Sequence, residues 1–328
     1  MFWLVDNLYN CLVCCICAVC LWSGLSLHLL TLKDWTPKDV VGVIDGTLEV
    51  KAKPEEYEFA LEGKSVALVF QKTSTRTRLS FEVAMTQMGG HSVYMDWATT
   101  NLVLADLGDE TRSISGYVDG IMARLLKNST LMTMAEASSV PVINGCDEKY
   151  HPCQIIADLA TVKEKTGKLK GLKLVYVGVH NNICNSLIEG CTKVGMKITA
   201  VTPIVNEASV DGELLETAKA TGLYESTLDV KEAVKDCDVV YTDTWVDMEY
   251  FLDPKFKKEK EKRIKTMLPY QLNKKLLKNS DALIMHDMPI HRGYEISEDV
   301  IDDPNSVIYL QSENRLHSAK AILKKLLS

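Results

Sequence analysis

The chain has 328 residues, of which 46% are hydrophobic and 25% are charged, so it is long enough for two ordinary globular domains. Its formal net charge is −7 at pH 7, and the charges are spread rather than grouped in blocks, which argues against a nucleic-acid partner. It shows neither a repeat with a period of about 20 to 50 residues nor a low-complexity tract.

Residues 1–27 differ in composition from the rest of the chain, with a single charged residue, Asp6, and five of the ten cysteines. Residues 8–27 are long enough to span a bilayer, but polar residues weaken that interpretation, and the basic residues of secretory or mitochondrial signals are missing. We expect an extension outside the fold, either a membrane anchor or, as the favoured alternative, an upstream stretch read through in a gene model. The five cysteines lack the paired spacing of a metal site. The other five are scattered singly, which favours a reducing, cytoplasmic location.

A cluster of polar residues follows the first apolar run. Residues 66–70 are continuously apolar and predict a buried strand, and a helical pattern over 78–88 places Leu79, Val83 and Met88 on one side. The residues between strand and helix are Ser74, Thr75, Arg76, Thr77 and Arg78. The N-terminus of a helix attracts phosphate, because its unpaired N–H groups and its dipole both favour an anion. The two arginines lie two residues apart, so we expect only one to face a ligand while the other braces the fold.

Ser-Thr-Arg-Thr-Arg after a strand resembles the carbamoyl phosphate motif of the aspartate and ornithine carbamoyltransferases, and the likeness extends from about Leu29 over nearly the whole chain. His151-Pro152-Cys153-Gln154 is similar to the ornithine branch. The resemblance implies an α/β protein with two doubly wound parallel-sheet domains, joined by bridging helices, and a C-terminal helix that returns to the first domain. It also implies a homotrimer with sites at subunit interfaces, and neither a metal nor an organic cofactor.

The first half alternates predicted strands and helices after an opening helix over 36–61. Apolar runs at 66–70, 92–95, 120–123 and 140–143 indicate a parallel sheet, in which ligands bind beyond the carboxyl ends of the strands. Arg124 follows one such end, and the resemblance assigns it to carbamoyl phosphate. Between 99 and 109 the family usually carries a histidine that reaches a neighbouring subunit, and this chain has none there.

His151 precedes a predicted helix whose apolar stripe is Ile155, Ile156 and Leu159. A proline suits the first helical turn, which leaves His151 and Gln154 facing the mouth of the helix. Near an anion, a histidine can hold its proton above the usual pKa and donate it to a carbonyl oxygen, although a histidine that merely caps the helix is the alternative. We expect Cys153 to be a buried cysteine rather than a nucleophile.

The second half carries the acceptor residues that the resemblance implies. Strands are predicted at 172–177 and 197–202, with a helix at 182–194 between them. The turn at 178–182 lacks the G-x-G-x-x-G fingerprint, so we expect no dinucleotide. Asn182 matches an asparagine that binds the acceptor's α-carboxylate, and an asparagine helix cap is compatible with that role. Asp243, after a strand at 239–242, matches the aspartate that pairs with the acceptor's ammonium group.

Two departures from the family fall on the acceptor side. Asp247-Met248-Glu249 stands where ornithine enzymes usually read Ser-Met-Gly, and an ionised Asp247 would repel an α-carboxylate. His286-Asp287-Met288-Pro289 stands in place of His-Cys-Leu-Pro, after a strand at 282–285. The resemblance gives the Met288 carbonyl to the carbamoyl amide, while Asp287 could accept a proton or hold the ammonium. Asp243, Asp247 and Asp287 around one acceptor hint at a dication such as putrescine.

The end of the chain contains Glu313-Asn314-Arg315, which resembles the family's Glu-Asn-Arg at the start of a terminal helix, and Arg315 is thereby assigned to carbamoyl phosphate. Charged residues dominate 253–265 and indicate a mobile, solvated lid. The expected domains are 28–150 with the helix at 312–328, which bind carbamoyl phosphate, and 151–311, which bind the acceptor.

These inferences lead to one function with two alternatives. We expect transfer of the carbamoyl group from carbamoyl phosphate to an amine, with ornithine favoured, a diamine such as putrescine as the rival acceptor, and a non-catalytic ligand-binding homologue as the alternative outside the enzyme class. The residues expected at carbamoyl phosphate are Ser74, Thr75, Arg76, Thr77, Arg124, His151, Gln154, Met288 and Arg315. Those expected at the acceptor are Asn182, Asp243, Asp247, Met248 and Asp287. Catalytic roles are expected for Arg76, Arg124, His151, Asp287 and Arg315.

Overall fold

A computed structural model describes residues 28–246, 251, 253–278 and 280–328 of the chain. The predictions for residues 1–27 and for Asp247, Met248 and Glu249 lie outside these described residues. Among the helices of the described part, none is long and apolar enough to cross a membrane.

The first half of the described chain forms one parallel sheet. Its helices and strands are α1 (Pro37–Ala52), β1 (Ser65–Phe70), α2 (Thr75–Gln87), β2 (His91–Asp96), α3 (Leu107–Ser115), β3 (Gly120–Arg124), α4 (Asn128–Ala137) and β4 (Val142–Cys146). The strands lie in the order β2-β1-β3-β4, and all the pairs are parallel. Phe70 is paired with Arg124, so β1 and β3 end side by side at the same edge.

The second half forms a separate parallel sheet. Its elements are α5 (Pro152–Thr166), β5 (Lys173–His180), α6 (Asn182–Val194), β6 (Lys197–Val205), α7 (Gly212–Ala220), β7 (Tyr224–Ser226), α8 (Val230–Ala233), β8 (Val239–Thr242), α9 (Lys257–Met267), β9 (Leu283–His286), α10 (Glu298–Ile301) and α11 (Ile308–Leu327). The strand order is β7-β6-β5-β8-β9, again parallel throughout. Thr242 is paired with His286, so Asp243 and Asp287 are the next residues at one sheet edge.

Helices α5 and α11 tie the two halves together. Ile155, Ile156 and Leu159 are fully buried, as their spacing predicted. Helix α11 packs against α1, α2 and α5, which confirms the predicted return of the terminal helix to the first half. It begins at Ile308 rather than at 312, because Ile308 is itself buried in the apolar cluster of the second sheet.

Several predicted boundaries in the first half were wrong for local reasons. Helix α1 ends at Ala52 rather than at 61, since Pro54 follows and disfavours a helical conformation at Lys53. Strand β4 spans Val142–Cys146 rather than 140–143.

A further prediction concerned the face of α2 and was also wrong. The buried face of α2 carries Phe81, Ala84 and Met85, whereas Leu79, predicted on the apolar side, is 54% exposed.

The charged segment expected to be a mobile, solvated lid contains most of helix α9, which is largely exposed and ends at the buried Met267, packed in one cluster with Trp245. Its mobility stays a prediction.

We expect the contact between α5 and α6 to tolerate no added volume at Gly190. A Cβ atom there would lie 2.6 Å from Ile155 Cγ2 and 3.0 Å from Leu159 Cδ1, both of which belong to buried side chains. Gly190→Ala should therefore lower the free energy of unfolding by about 1 to 3 kcal/mol, measured by urea titration. Gly212→Ala is the matched control, because nothing lies within 4 Å of its Cβ position. Equal stability of the two variants would contradict the close packing described here.

Candidate active site

The carboxyl ends of the two sheets face each other across a cleft. The Arg76 guanidinium, on α2 of the first half, donates from Nη2 to the Met288 carbonyl oxygen of the second half at 2.8 Å. Asp287 and Asp243 are close enough to Arg76 to oppose the effect of burial on its pKa. Parallel sheets bind ligands at such strand ends, so this cleft is the candidate site.

The N-terminus of α2 forms one wall of the cleft. Ser74 caps the helix in an extended conformation and accepts a hydrogen bond from the Thr77 N–H at 3.3 Å. The first N–H groups of a helix lack partners within it, so the start of α2 can donate to an anion. A cavity of about 480 Å³ opens beside this turn and is lined by Lys72, Ser74, Thr75 and Tyr94 among others. The geometry suits a phosphate group.

The two arginines of the helix start have different surroundings. Arg76 reaches across the cleft, and burial lowers its pKa while Asp287 acts in the opposite direction. Arg78 instead pairs with Glu82 at 2.8 Å, and its guanidinium lies 3.7 Å from the centre of the Tyr94 ring. Arg76 thus contacts the second half, whereas Arg78 lines the cavity beside Ser74, so the expectation that only one of the two faces a ligand stays a prediction.

Arg315 is held deep in the site by two hydrogen bonds. It is 4% exposed, and it donates from Nη1 to Gln154 Oε1 and from Nη2 to Thr77 Oγ1, the latter at 3.1 Å. Burial lowers its pKa, but an arginine remains charged over the ordinary pH range. The carbonyl oxygen of Gln154 therefore supports Arg315 and does not face the cleft.

His151 is buried among positive charges. Its backbone N–H donates to Ser186 Oγ at 2.8 Å, and among the described residues its Nδ1 has no hydrogen-bond partner. Burial, followed by the charges of Arg315 and Arg124, lowers the pKa of His151 well below its usual value. The prediction of a raised pKa concerned His151 beside a bound anion, and it stays a prediction; in the protein alone, burial and the surrounding guanidinium groups lower the pKa.

Arg124 stands at the end of β3, and its buried Nε has no partner within the described part of the chain. The unpaired nitrogens of Arg124 and His151 leave donor capacity that an oxygen-rich ligand can take up. Lys72 adds a further positive charge that acts on His151. The sequence analysis missed Lys72, although its position directly before the polar cluster was a usable signal.

The turn that leads to His151 is fixed by Asp147, another residue that the sequence analysis missed. Its Oδ1 accepts the N–H groups of Lys149 and Tyr150, both at 2.7 Å, and its Oδ2 accepts from Asn144 Nδ2 at 3.0 Å. Cys153 is buried as predicted, and burial raises the pKa of its thiol to about 12. A thiol with that pKa is a poor nucleophile at neutral pH.

Two carboxyl groups form the opposite wall. Asp243 is 5% exposed, accepts from Asn181 Nδ2 at 2.7 Å and is hydrogen-bonded to Asp287. Burial, and then the charge of Asp243, raise the pKa of Asp287 well above its usual value. The protonated form of Asp287 is therefore favoured in the free protein, and the charge of Arg76 opposes that effect.

Asn182 is less available than the sequence suggested. Helix α6 is capped by Asn181, whose Oδ1 accepts the N–H groups of Ile183 and Cys184, so the alternative role of Asn182 as the helix cap falls to its neighbour. Asn182 donates from Nδ2 to the Asp147 carbonyl oxygen at 2.7 Å and to Cys146 Sγ at 3.2 Å. Its amide thus bridges the two halves. Sequence reasoning assigned no role to Asn181, since adjacent asparagines offer no local basis for choosing between them.

A cation could also be held at this wall. Ligand atoms of Asp243, His286 and Asp287 lie within 4.8 Å of one another, although no metal site was expected from the sequence. His286 has both ring nitrogens engaged, since Nδ1 accepts the Met288 N–H at 2.8 Å and Nε2 lies 3.1 Å from Glu295 Oε1. Two carboxyl groups then remain for a cation, and an ammonium group matches them as a donor.

The structure thus groups the predicted residues on two walls. Those on the positive side are Ser74, Thr75, Arg76, Thr77, Arg124, His151, Gln154 and Arg315, with the Met288 carbonyl facing them. Those on the acidic side are Asn182, Asp243 and Asp287. A bound dianion on one wall would lie next to a bound ammonium or amine on the other.

Comparisons with known proteins match both halves. Residues 27–164 match the "Aspartate/ornithine carbamoyltransferase, carbamoyl-P binding domain" family, and residues 170–326 match the "Asp/Orn binding domain" of the same family. The ornithine carbamoyltransferase of Pyrococcus horikoshii is 42% identical over 312 residues, which is 91% of this chain and 95% of that protein. The Methanocaldococcus jannaschii ornithine carbamoyltransferase is 43% identical over 305 residues, 91% of this chain and 98% of that protein.

Solved structures agree with the sequence comparisons. The ornithine carbamoyltransferase of Pyrococcus furiosus superposes with a TM-score of 0.84 at 40% identity, covering 92% of this chain and 96% of that one. The Giardia lamblia ornithine transcarbamoylase gives a TM-score of 0.81 at 32% identity, covering 92% and 97%. With both halves matched and the cleft placed between them, this chain belongs to the aspartate/ornithine carbamoyltransferase family.

Proposed function

We propose that this chain transfers the carbamoyl group of carbamoyl phosphate to the side-chain amine of L-ornithine, giving L-citrulline and phosphate. The observation that carries the proposal is the cleft itself, in which Arg76, Arg124, His151 and Arg315 face the Asp243–Asp287 pair. The relatives named above support ornithine as the acceptor.

The proposed donor site is the positive wall, built on residues 28–150 and α11. The phosphate binds at the start of α2, where Ser74, Thr75, Arg76 and Thr77 supply N–H, hydroxyl and guanidinium donors. Arg124, His151 and Arg315 surround the carbamoyl carbonyl oxygen, with Gln154 supporting Arg315. The Met288 carbonyl oxygen accepts from the carbamoyl amide once Arg76 turns from it to the phosphate.

The chemistry is an acyl transfer. The neutral amine nitrogen attacks the carbamoyl carbon, and the carbonyl electron pair moves onto the oxygen of a tetrahedral intermediate. Donors already in place stabilise that oxyanion, and in acyl-transfer enzymes the loss of one such donor costs on the order of a hundredfold in rate. The C–O bond to phosphate then breaks, the carbonyl re-forms, and the phosphate leaves with the proton of the amine. The atoms of both products come from the two substrates.

The proposed acceptor site lies in residues 151–311. Asp243 and Asp287 face the acceptor's nitrogen atoms, and Asp287 accepts a proton from the arriving ammonium group so that the neutral amine can attack. Asn182, together with Asp247 and Met248, is proposed to contact the rest of the acceptor. The positive charge of an entering ammonium group favours the ionised form of Asp287, and that form can accept the proton.

A diamine such as putrescine is the second candidate acceptor. It is favoured by one observation, the position of the half-buried Asp287 directly beside the buried Asp243, which places two carboxyl groups on the acceptor side. A diamine carries two ammonium groups and has no α-carboxylate for an ionised Asp247 to repel.

We further propose that the chain acts as a homotrimer in which a neighbouring copy closes the donor site. Strand β2 is an edge strand of the first sheet, and on it Val93 and Tyr94 are 42% and 39% exposed. Leu79 and Tyr94 line the open cavity beside Ser74, so apolar surface lies next to the phosphate-binding turn. An unpaired strand edge with apolar side chains is typical of an interface.

Arg76→Ala should abolish turnover, because the guanidinium group is proposed to bind the donor substrate. It should have little effect on folding, because the side chain lies in the cleft and not in the apolar core. We expect kcat/KM for carbamoyl phosphate to fall by on the order of a thousandfold, measured by colorimetric detection of the ureido product. Arg112→Ala is the control, since Arg112 pairs with Asp109 in an exposed ion pair away from the cleft. Wild-type activity in Arg76→Ala would defeat the assignment of the donor site.

The acceptor is decided by side-by-side rates with carbamoyl phosphate saturating. We expect the wild-type kcat/KM to be higher for ornithine than for putrescine, and Asp287→Asn to reduce both while the putrescine rate falls further, since putrescine relies on carboxylates alone. A higher rate with putrescine would replace ornithine by the second candidate, and no ureido product with any amine would leave a ligand-binding homologue.

The acidic pair should also govern how stability depends on pH. The folded-state pKa of Asp287 is raised, so its contribution to stability is full below the unfolded pKa and is lost as pH rises through the folded pKa. Asn does not titrate. We therefore expect the melting temperature of Asp287→Asn, relative to that of the wild type, to increase as pH rises from about 5 to about 9. The exposed change Asp302→Asn is the control, and a pH-independent difference for Asp287→Asn would refute the raised pKa.

A further inference from the structure

A buried carboxylate beneath the cleft takes no part in the reaction described above. Asp158 lies on α5, two positions beyond Ile156, and is 1% exposed. Its Oδ1 accepts from Gln154 Nε2 and from Gln311 Nε2, each at 2.8 Å, and its Oδ2 accepts from Tyr241 Oη at 2.9 Å. These three donors come from α5, α11 and β8, so the carboxylate joins the two helices that connect the halves to a strand of the second sheet.

On the donor side, Asp158 determines which end of the Gln154 amide faces Arg315. A glutamine side chain offers a carbonyl oxygen at one end and an NH₂ group at the other. Because Nε2 donates to Asp158, Oε1 is turned towards Arg315 and accepts from its Nη1. The reverse orientation would place two donors against each other.

On the acceptor side, Gln311 is oriented in the same way. Its Nε2 donates to Asp158 and also lies 3.1 Å from Tyr241 Oη, while its Oε1 accepts the backbone N–H of His286 at 3.0 Å. His286 directly precedes Asp287 and Met288, the residues that face the acceptor and the carbamoyl amide. One carboxylate oxygen thus orders groups on both walls of the cleft.

We propose that Asp158 is a positioning residue for the carbamoyl transfer, whose carboxylate oxygen sets the amide orientation of Gln154 and Gln311 and through them the positions of Arg315 and of the backbone at His286. The inference rests on the proposed function, since its readout is that reaction.

The burial of this charge supports a role beyond packing. Burial raises the pKa of Asp158 to about 6, and the charges that face it are those of Arg315 and Asp287, with the Tyr241 hydroxyl beside them. An ionised group kept in such a place at neutral pH opposes folding, whereas a neutral or apolar residue of similar size would not. Groups that oppose folding but organise a site are characteristic of functional positions.

Two substitutions at one position separate hydrogen-bond acceptance from charge. Asp158→Asn keeps an oxygen where Oδ1 receives both glutamine amides, and its NH₂ group can donate to Tyr241 Oη. Asp158→Leu has a similar volume and removes both acceptors. We expect Leu to lower kcat/KM by about a hundredfold, the size of effect seen when a catalytic group is displaced by about 1 Å, and Asn to stay close to the wild type.

The controls address packing on the same helix. Thr161→Val removes a buried hydroxyl that accepts from Asn314 on α11, one turn beyond Asp158, and should leave kcat/KM unchanged. In the Gln154→Leu background, Asp158→Leu should cause little further rise in KM for carbamoyl phosphate, because the amide that Asp158 orients is already missing. Melting temperature and circular dichroism are recorded for every variant.

The outcomes are distinguishable. No ureido product from the wild type would defeat the proposed function, whereas an active wild type with equally active Asp158→Leu would overturn the positioning role alone. Equal losses in Asp158→Asn and Asp158→Leu would also overturn it. If Asp158→Leu does not fold, Gln311→Leu provides the test: it should raise KM for the acceptor more than KM for carbamoyl phosphate, and unchanged values of both would refute the proposal.

Discussion

Uncompensated positive charge is the constraint on which the rest of the cleft depends. Three guanidinium groups and an imidazole gather where strand ends meet the start of α2, and burial of Arg315 and His151 removes them from water. Like charges that lie close together repel one another, and after burial this repulsion is the next cause of the lowered pKa of His151. The surrounding packing of α5 and α11 holds them together in the free protein. A dianion that enters the cleft reduces that repulsion. The same charge attraction therefore binds the ligand and holds the positive side chains in place around it.

On the opposite wall of the cleft, the groups that repel one another are carboxyl groups. Asp243 and Asp287 directly follow neighbouring strands, so the register of β8 and β9 places two carboxyl groups side by side, which raises the pKa of Asp287 while the charge of Arg76 opposes that rise. Arg76 lies between the walls and donates to the Met288 carbonyl oxygen, which links the positive and acidic sides before any ligand is present. On each wall, groups of like charge repel one another in the free protein. A substrate group of opposite charge that binds to the wall reduces this repulsion.

The parts of the site that follow from local rules were predictable from the sequence. Ser74 caps α2 three residues before the N–H that it accepts, and Asp243 follows a strand whose apolar run is plain. The residues that were missed depend on distant partners. Asp158 and Gln311 meet across 153 positions of sequence, and no periodicity reports such a contact. The pKa of His151 depends on how many cations collect around it, which only the packing of two sheets determines.

Helix α11 has a consequence for how the protein is made. It supplies Ala319, Ile322 and Leu323 to the main apolar core and Arg315 to the cleft, and it runs from Ile308 to Leu327, the last turns of the chain. During synthesis the first half emerges early, yet it lacks this helix until residues 308–327 have been translated as well. The surface of α1 and α2 that α11 covers in the folded protein is therefore exposed while the second half is translated. Chaperone contact with the nascent chain is expected to centre on that surface.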